Sequence, residues 1–333
     1  MGRKVLVTGG AGYIGSVVVE ELVRRGETPV VLDDLSTGHR AAVAPDVEFV
    51  VGNVGDRALV DGVLARHRID ALVHCAAFAL VAESVAQPAK YHANNVTAGG
   101  VLLEAAVHAR VERVIFSSSC AIYGHPGRVP IAEDTPPAPV NPYGETKLVF
   151  ERLLERWAKS HGLRSVSLRY FNAAGATERH GEDHAPETHL IPNVLRVAGG
   201  ERSAVEVYGT DYATPDGTAV RDYIHVRDLA DAHVRALDAT VDGAQAVNLG
   251  TGTGQSVLSV VAAARRVTGQ PIATVSQPRR PGDPPMLVAA LGRAERLLGW
   301  RPAHSSLDEI LASAWVWHRA HPLGYGNSSK GRA

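Results

Sequence analysis

An α/β protein is predicted, with a doubly wound parallel sheet and a smaller C-terminal α/β lobe. The first half of the chain alternates short, continuously apolar runs with helix-length segments. That pattern is typical of parallel strands covered by helices on both faces. The first apolar run leads directly into a glycine-rich turn and then a helix. With 333 residues, 45% of them hydrophobic, the chain can form a substantial core.

The elements of the first half follow from apolar runs of strand length and longer segments of helical period. Strands are predicted at 4–8, 29–33, 48–51, 71–75, 113–118 and 165–170. Helices are predicted at 14–25, 57–67, 95–109 and 143–161. A sheet of this kind binds its ligands at the carboxyl ends of the strands.

After Asn172 the pattern loosens, and the polar segment 175–187 reads as a loop. Further helices are predicted at 190–198, 228–239, 257–268 and 307–319, with short strands at 205–208 and 246–249. We therefore expect one domain over 1–175 and a second lobe over 176–325, with the chain crossing back between the two. Residues 326–333 are expected to form a flexible tail.

Charge and cysteine content exclude several classes of protein. The formal net charge is −1, so no basic field attracts nucleic acid or an anionic membrane. No stretch reaches the length of a membrane span. Cys75 and Cys120 lie in apolar surroundings and read as buried, unpaired residues, which fits a reducing compartment. The chain opens into a strand without a signal-peptide pattern, so a cytoplasmic location is expected.

The turn after the first strand has the spacing of a Rossmann-type dinucleotide site. Gly9 permits a tight turn, Gly12 lets a pyrophosphate approach the backbone, and Gly15 lets the helix pack close to the sheet. The helix N-terminus then offers free N–H groups and a positive dipole end to the phosphates. The alternative is a glycine-rich turn without a ligand.

The end of the second strand favours NAD over NADP. Asp33 can accept hydrogen bonds from the adenosine ribose hydroxyls and would repel a 2′-phosphate, and no arginine follows before Arg40. The alternative is that Asp33 only caps the next turn. Asn53 ends the third strand, where it can meet the adenine edge, although asparagine is common in such turns.

Tyr143 and Lys147 are four residues apart, so on a helix they share one face. A nearby cation stabilises a phenolate and lowers its pKa, which makes tyrosine a proton-transfer group. The pair alone is a weak signal. Ser119 ends the fifth strand and Tyr143 opens the next helix, so both are expected to face the same crevice.

The chain resembles the UDP-galactose (UDP-glucose) 4-epimerases of the extended short-chain dehydrogenase/reductase family over about 5–324. Together the matching motifs are specific for nucleotide-sugar enzymes. They are Val7-Thr8-Gly9-Gly10-Ala11-Gly12-Tyr13-Ile14-Gly15, Asn94-Asn95-Val96, Phe116-Ser117-Ser118-Ser119, Tyr123-Gly124, Pro142-Tyr143-Gly144-x-x-Lys147, Arg169-Tyr170-Phe171-Asn172, Arg221-Asp222-Tyr223-Ile224-His225-Val226-x-Asp228-Leu229-Ala230, Asn248-Leu249-Gly250 and Arg279-Arg280-x-Gly282-Asp283.

The resemblance implies an NAD-dependent 4-epimerase that acts through a transient 4-keto sugar. Tyr143 would remove the proton of the sugar 4-hydroxyl, Lys147 would lower the tyrosine pKa and hold the nicotinamide ribose, and Ser119 would relay the proton. NAD is regenerated in each cycle and should stay bound. The family also implies a homodimer packed through the helices near 95–109 and 143–161.

The resemblance further implies two sets of binding residues. The cofactor set is Gly9, Gly12, Tyr13, Ile14, Gly15, Asp33, Asn53, Val54, Ala76, Asn95, Ser117, Tyr143, Lys147 and Tyr170. The UDP-sugar set is Ser119, Tyr143, Asn172, His189, Leu190, Arg221, Arg280, Asp283 and Leu287. Arginine suits a diphosphate because its donor fork matches the oxygens, while Arg279 and Arg280 could also form a solvated basic turn.

Three positions depart from the best-known members of the family. Ala79 replaces a lysine near the cofactor phosphates, and His189 replaces an asparagine at the sugar diphosphate. Leu287 lies where the family varies between tyrosine and small residues beside the sugar 2-substituent. Leucine leaves a wider pocket, so UDP-galactose is expected as the main substrate with additional activity on UDP-N-acetylhexosamines; the alternative is that Leu287 points into the core and does not gate the pocket.

Several alternatives stay open. A 4-epimerase of another UDP-sugar, a pentose or a uronic acid, fits the same motifs. A nucleotide-sugar dehydratase or decarboxylase is disfavoured because Ser119 is followed by Cys120 and Ala121, not by an acidic pair. A non-catalytic NAD-binding sensor usually lacks the tyrosine or the lysine. No metal site is expected, because histidines 180, 184 and 189 lack ligand spacing on one element.

Overall fold

The computed structural model describes residues 2–280 and 282–326. Its strands are β1 (Lys4–Thr8), β2 (Thr28–Asp33), β3 (Glu48–Val51), β4 (Ala71–His74), β5 (Arg113–Ser119), β6 (Arg164–Tyr170), β7 (Asn172–Ala174), β8 (Val205–Tyr208), β9 (Val220–His225), β10 (Ala244–Leu249), β11 (Gly254–Ser256), β12 (Thr274–Gln277) and β13 (Met286–Leu287). Seven of them form one parallel sheet in the order β10-β6-β5-β4-β1-β2-β3.

Helices connect and cover these strands. They are α1 (Tyr13–Arg24), α2 (Arg57–His67), α3 (Val81–Ala86), α4 (Pro88–His92), α5 (Gly99–His108), α6 (Pro142–His161), α7 (Leu190–Ala198), α8 (Val226–Asp238), α9 (Val257–Thr268), α10 (Gly292–Leu298) and α11 (Leu307–Ala320). Among the described residues, no helix combines the length and the apolar character that crossing a bilayer requires.

Strand β1 shows why both faces of the sheet are covered. Successive side chains of a strand point to opposite faces. Val5 and Val7 lie in one core cluster with α1 and α8, while Leu6 lies in a second cluster with α2, α5 and α6. All three side chains are fully buried. The continuously apolar strands therefore pack on both sides, and the predicted doubly wound parallel sheet is confirmed.

The strand order fixes where a ligand can bind. From β1 the chain passes through α1 to β2 on one side, and β4 pairs with β1 on the other. Such a reversal of strand order opens a crevice at the carboxyl ends of the central strands. Asp33, Ser119 and Tyr170 are the last residues of β2, β5 and β6, so all three lie at that edge.

A smaller group of elements lies beyond β7. Strand β9 pairs with β7, β11 and β13, β8 pairs with β12, and α7, α9 and α11 share a core cluster. Strand β10, which the sequence analysis assigned to the second lobe, lies at the edge of the main sheet, and α8 packs on α1. The division into two lobes at residue 175 stays a prediction. Strand β10 and helix α8 are the segments that return from the second lobe to the first. Of the expected tail 326–333, residues 327–333 lie outside the described residues.

The helix predicted at 95–109 differs in form. A π-helical turn, Ala93–Ala98, links α4 to α5. Asn95 lies in this turn, where its side chain accepts from the Phe78 N–H at 2.9 Å and donates to the Phe78 carbonyl at 3.0 Å and to Thr146 at 3.1 Å. A wide turn of this kind re-aims a side chain inside a helix, which sequence periodicity does not reveal.

A buried polar network joins the core elements behind the crevice. Glu151 on α6 accepts from Ser118 at 2.6 Å and pairs with Arg169 at 2.6 Å. Arg169 also donates to the Tyr123 hydroxyl at 2.9 Å, which in turn donates to Asn248 at 2.7 Å. The chain of contacts ties β5, α6, β6 and β10 together.

Candidate active site

The carboxyl ends of the parallel strands open into a cleft of about 2590 Å³. Most of the residues selected from the sequence line it: Gly9, Gly12, Tyr13, Ile14, Gly15, Asp33, Asn53, Val54, Ala76, Ser119, Tyr143, Lys147, Tyr170, Asn172, His189, Leu190, Arg221, Arg280, Asp283 and Leu287. Asn95 and Ser117 are not among the lining residues. The Asn95 side chain instead contacts Phe78 and Thr146, and the Ser117 carbonyl accepts from Lys147 at 2.7 Å.

The three glycines of the first turn, at positions 9, 12 and 15, differ in whether a side chain would clash with the protein's own backbone. A Cβ on Gly9, whose φ is +70°, would lie 2.5 Å from the Ala76 nitrogen, and one on Gly15 would lie 2.1 Å from the Gly9 oxygen. Gly12 has an ordinary extended backbone (φ −82°, ψ 173°), and a Cβ there would approach the Gly9 oxygen only to 3.4 Å. The protein's own packing therefore requires Gly9 and Gly15, whereas Gly12 leaves room on the cleft side that a phosphate can use.

Helix α1 begins directly after Gly12, with Tyr13 and Ile14 in its first turn. First-turn N–H groups have no intrahelical acceptor, and the helix dipole makes this end positive. The Tyr13 hydroxyl donates to the Gly175 carbonyl at 2.6 Å, which fastens the turn to the loop after β7. The arrangement fits the pyrophosphate of a dinucleotide.

Asp33 has a structural contact in addition to its place in the cleft. Its two oxygens accept from the backbone N–H groups of Ala11 and Leu35, both at 2.9 Å. Burial raises the pKa of the Asp33 carboxyl, and these two hydrogen bonds counteract the rise. A carboxylate has further lone pairs for ribose hydroxyls. The turn role and the binding role of Asp33 are thus compatible.

The part of the cleft near Asn53, where the sequence predicts the adenine, combines one fixed amide with small and apolar groups. Asn53 donates to the Asp34 carboxylate at 2.9 Å and accepts from the Gly55 N–H at 2.8 Å, so its side chain is already held in the turn. Val54 is buried beside it. Ala76 and Ala79 follow β4 on the opposite side, where an alanine offers no charge to a phosphate.

Tyr143 and Lys147 lie in the first two turns of α6. Pro142 and the N-cap Asn141, whose side chain accepts from the Gly144 N–H at 2.9 Å, start this helix. The Lys147 ammonium lies 5.8 Å from the Tyr143 ring centroid and donates to the Ser117 carbonyl at 2.7 Å. Both side chains line the cleft together with Ser119, so the structure brings the three predicted residues to one wall.

Burial is the largest influence on the pKa values of Tyr143 and Lys147. It raises the pKa of Tyr143 to about 12, and a hydrogen bond from Ser119 only partly offsets the rise. It also lowers the pKa of Lys147 to about 8. The partial lowering of the Tyr143 pKa comes here from Ser119 and not from Lys147, so the expected effect of the lysine is not seen in the protein by itself. Burial disfavours the charged form of both groups. In such a poorly solvated place, a charge brought in by a ligand changes their pKa values strongly.

The other end of the cleft carries two arginines and an aspartate. Arg221 on β9 pairs with Asp283 and donates to the Val220 carbonyl at 2.7 Å. Arg280 lies 4.1 Å above the ring of Tyr208. The neighbouring Arg279 pairs with Asp211 at 2.7 Å instead.

Asn172 and Leu287 also line the cleft. Asn172 opens β7, which pairs with β9. Leu287 pairs in register with Arg221 and packs partly against the cluster that contains Cys120 and Phe171. Its side chain is half-buried and still lines the cleft, so it can contact a ligand.

His189 and Leu190 lie where α7 begins, on the cleft rim. The His189 Nδ1 atom lies 2.6 Å from Glu182 and 3.2 Å from Glu187. These carboxylates raise the pKa of His189 well above its usual value. His184 joins the same two carboxylates, whereas His180 faces Glu20 at 3.7 Å.

Sequence reasoning missed several residues of the cleft. Phe78, Cys120, Tyr208 and Tyr325 all line it. The Tyr325 hydroxyl lies 3.2 Å from the Gly181 nitrogen. Tyr208 ends strand β8 and the others follow strands or helices, all outside the motifs used, so the available signal was their aromatic or apolar character.

Comparison with known proteins agrees with this geometry. The model of the NAD dependent epimerase/dehydratase family matches residues 5–250. A UDP-glucose 4-epimerase of Lactobacillus helveticus is 49% identical over 326 residues, which cover 97% of this chain and 99% of that protein. The UDP-glucose 4-epimerase structure from Brucella ovis in complex with NAD is 48% identical, with a TM-score of 0.91 and coverage of 94% of this chain and 98% of that chain. The one from Bifidobacterium longum with NAD⁺ and UDP is 40% identical, with a TM-score of 0.92 and coverage of 97% and 100%.

Proposed function

The chain belongs to the NAD-dependent epimerase/dehydratase family, and on that premise we propose that it is a UDP-sugar 4-epimerase. It interconverts UDP-glucose and UDP-galactose through a transient 4-keto sugar, with NAD as the bound cofactor. The observation that carries the proposal is one cleft that joins the glycine turn, the Ser119, Tyr143 and Lys147 wall, and the Arg221–Asp283 pair.

Each wall of the cleft has its own task in this proposal. When bound, NAD supplies a hydride acceptor for the sugar and returns the hydride later in the cycle. Tyr143 takes the proton of the sugar 4-hydroxyl, Ser119 hydrogen-bonds that hydroxyl, and the Lys147 ammonium stabilises the phenolate. Arg221 and Arg280 hold the diphosphate, and Asp283 accepts from the uridine ribose. For this step, the binding of NAD and the UDP-sugar must lower the pKa of Tyr143 from about 12.

The cleft argues against elimination chemistry. Ser119 is followed in the lining by Cys120 and Ala121. Neither residue carries a carboxylate, and burial raises the pKa of the Cys120 thiol to about 12. A dehydratase needs an acid and a base at this position to expel a hydroxyl. Epimerisation, which needs bound NAD, the tyrosine pair and a turning intermediate but no further acid or base, fits better.

A coupled assay tests the reaction. UDP-galactose is first incubated with the protein without added NAD and the reaction is stopped; UDP-glucose dehydrogenase and NAD are then added, and the NADH formed reports the UDP-glucose made in the first stage. Formation of UDP-glucose without added NAD supports the proposal. Turnover only of UDP-arabinose or UDP-galacturonate would replace the substrate, and loss of water from the sugar would replace the reaction.

A substitution at Gly12 can test the binding of NAD without disturbing the fold. Denaturing the purified protein is expected to release NAD and not NADP, because Asp33 would repel a 2′-phosphate. Gly12→Ala is expected to fold normally and lose most of the nucleotide, since only the cleft side is affected. Absorbance and chromatography of the released nucleotide measure both.

Gly62→Ala is the matched control, because a Cβ on this exposed helix residue meets no atom within 4 Å. It should retain as much nucleotide as the unchanged protein. Release of NADP, or full nucleotide content in Gly12→Ala, would contradict the assignment.

Sugar selectivity is proposed to depend on Leu287. Leu287→Tyr should lower turnover of UDP-N-acetylgalactosamine roughly 10–200-fold and spare UDP-galactose, since a ring fills the space that an N-acetyl group needs. Leu287→Met conserves volume and should keep both activities. Equal losses on both substrates in Leu287→Tyr would show that the residue supports the fold without gating the pocket.

The proposal extends to the oligomeric state and the cellular location of the protein. We propose a homodimer packed through the helical regions 95–109 and 143–161, which sedimentation equilibrium of the purified protein tests. A cytoplasmic location is supported by the two cysteines, which are free in the structure.

A further inference from the structure

The loop between β7 and α7 gathers two histidines and two glutamates. Glu182, His184, Glu187 and His189 each offer one ligand atom, and all four atoms lie within 4.8 Å of one another. From Glu182 Oε1 to the Nδ1 atoms the distances are 3.3 Å for His184 and 2.6 Å for His189. From Glu187 they are 3.6 Å and 3.2 Å. The four side chains are called the loop cluster below.

We propose that the loop cluster is a binding site for one divalent transition-metal ion, with zinc as the best match. Zinc takes four nitrogen and oxygen ligands at about 2.0–2.1 Å in a tetrahedron, so neighbouring ligand atoms lie about 3.3 Å apart. Glu182 Oε1 lies 3.3 Å from His184 and 2.6 Å from His189, while the Glu187 distances are 3.6 Å from Oε2 to His184 and 3.2 Å from Oε1 to His189, so three of the four lie near that value. Imidazole ligands favour zinc over calcium and magnesium, which prefer all-oxygen shells.

Burial and charge support an ion at this place. The side chains of Glu182 and Glu187 are 8% and 1% exposed, and two carboxylates so deeply buried need positive charge nearby. The Nδ1 atom of His184 is buried and, although it lies 3.3 Å from Glu182, makes no hydrogen bond of acceptable geometry among the described residues. A divalent ion would displace the protons that the histidines share with the carboxylates, neutralise both carboxylates in their place and supply a partner for that nitrogen.

The position of the loop cluster indicates what the ion does. His184 lies edge-on to Tyr13 with ring centroids 6.4 Å apart. Between the cluster residues, Asp183 accepts from the Tyr325 N–H at 3.1 Å and lies 3.5 Å from His39. An ion here would fasten the loop to the glycine turn and the cleft rim. Its task is structural, and His189 would then serve as a metal ligand in place of the sugar-diphosphate contact that the resemblance implies for it.

Sequence analysis expected no metal because histidines 184 and 189 do not share one regular element. The loop itself brings them together, since Pro186 and the start of α7 turn the chain back on itself. Ligand spacing of two, three and two residues on an irregular loop has no signature that periodicity detects.

Cobalt(II) is the probe that tests the site. The full-length protein is stripped with a chelator and titrated with Co²⁺, which gives visible absorption in a nitrogen and oxygen site, and Zn²⁺ is then added. One Co²⁺ per chain that Zn²⁺ displaces is expected. Removing a partner of a metal ligand weakens affinity about 10–100-fold, so His184→Ala and Glu187→Gln should each weaken it by at least as much.

The matched control is His304→Ala, which breaks an exposed histidine–glutamate pair of 2.7 Å elsewhere in the chain and should bind Co²⁺ like the unchanged protein. Thermal unfolding gives a second readout, because Zn²⁺ should raise the midpoint in the unchanged protein and in His304→Ala only. If His184→Ala does not fold, the near-isosteric Glu187→Gln decides. No fixed stoichiometry, or equal uptake in Glu187→Gln, would overturn the proposal and leave the cluster as a set of ion pairs.

Discussion

Tyr143→Phe is expected to lower the turnover number about 10²–10⁴-fold and to leave the fold and the bound nucleotide in place. The change keeps the ring, which is buried on the cleft wall, and removes only the hydroxyl. Because the lost interaction belongs to the proton transfer, the effect should fall on kcat more than on KM. Steady-state kinetics with UDP-galactose, together with the nucleotide content of each preparation, provide the measurement.

Tyr123→Phe serves as the matched control. Its hydroxyl is also buried, but it contacts Asn248 and Arg169 behind the cleft. This variant should lose stability, since a buried hydrogen-bond partner is removed at a cost of about 1–3 kcal/mol, while its turnover stays within a few-fold. Near-full turnover of Tyr143→Phe would remove the tyrosine from the mechanism, whatever the control does.

Glu151→Gln is expected to lower the free energy of unfolding by about 3–5 kcal/mol. The side chains of Arg169 and Glu151 are 9% and 5% exposed, so the variant leaves a buried guanidinium without its counter-charge. Urea unfolding monitored by circular dichroism measures the loss. The double variant Glu151→Gln with Arg169→Met should recover part of it, because the unpaired charge is then gone as well.

An exposed pair gives the comparison for this effect. Arg301 and Glu295 are 75% and 51% exposed, and surface pairs contribute under about 1 kcal/mol. Glu295→Gln should therefore change the unfolding midpoint little. If Glu151→Gln were no more destabilising than Glu295→Gln, the buried network would not hold the strands behind the cleft.

The buried network also explains why several motif residues are not binding residues. Ser118 and Arg169 adjoin Ser119 and Tyr170 in sequence, yet both point to Glu151. Asp222, next to Arg221, accepts from the backbone N–H groups of Thr251, Gly252 and Ala289. Neighbours on a strand point to opposite faces, so one motif supplies a cleft residue and a residue that supports the wall.

The sequence by itself determined the class of fold and most, though not all, of the residues that line the cleft. Continuously apolar strands, helix-length connections and the spacing of Gly9, Gly12 and Gly15 are local properties, and local patterns suffice to place β1–α1 and the start of α6. The same holds for the Tyr143–Lys147 pair, which the structure places on one wall with Ser119.

Only the tertiary structure decided which elements and charges meet. It placed β10 beside β6, set Asn95 behind the cleft, and gathered Glu182 and Glu187 around His184 and His189. It also decided the titration of Tyr143, since burial raises that pKa to about 12. The physical reason is common to all of these. Hydrogen-bond partners and desolvation depend on segments that are remote in sequence, and no local pattern carries the positions of those segments.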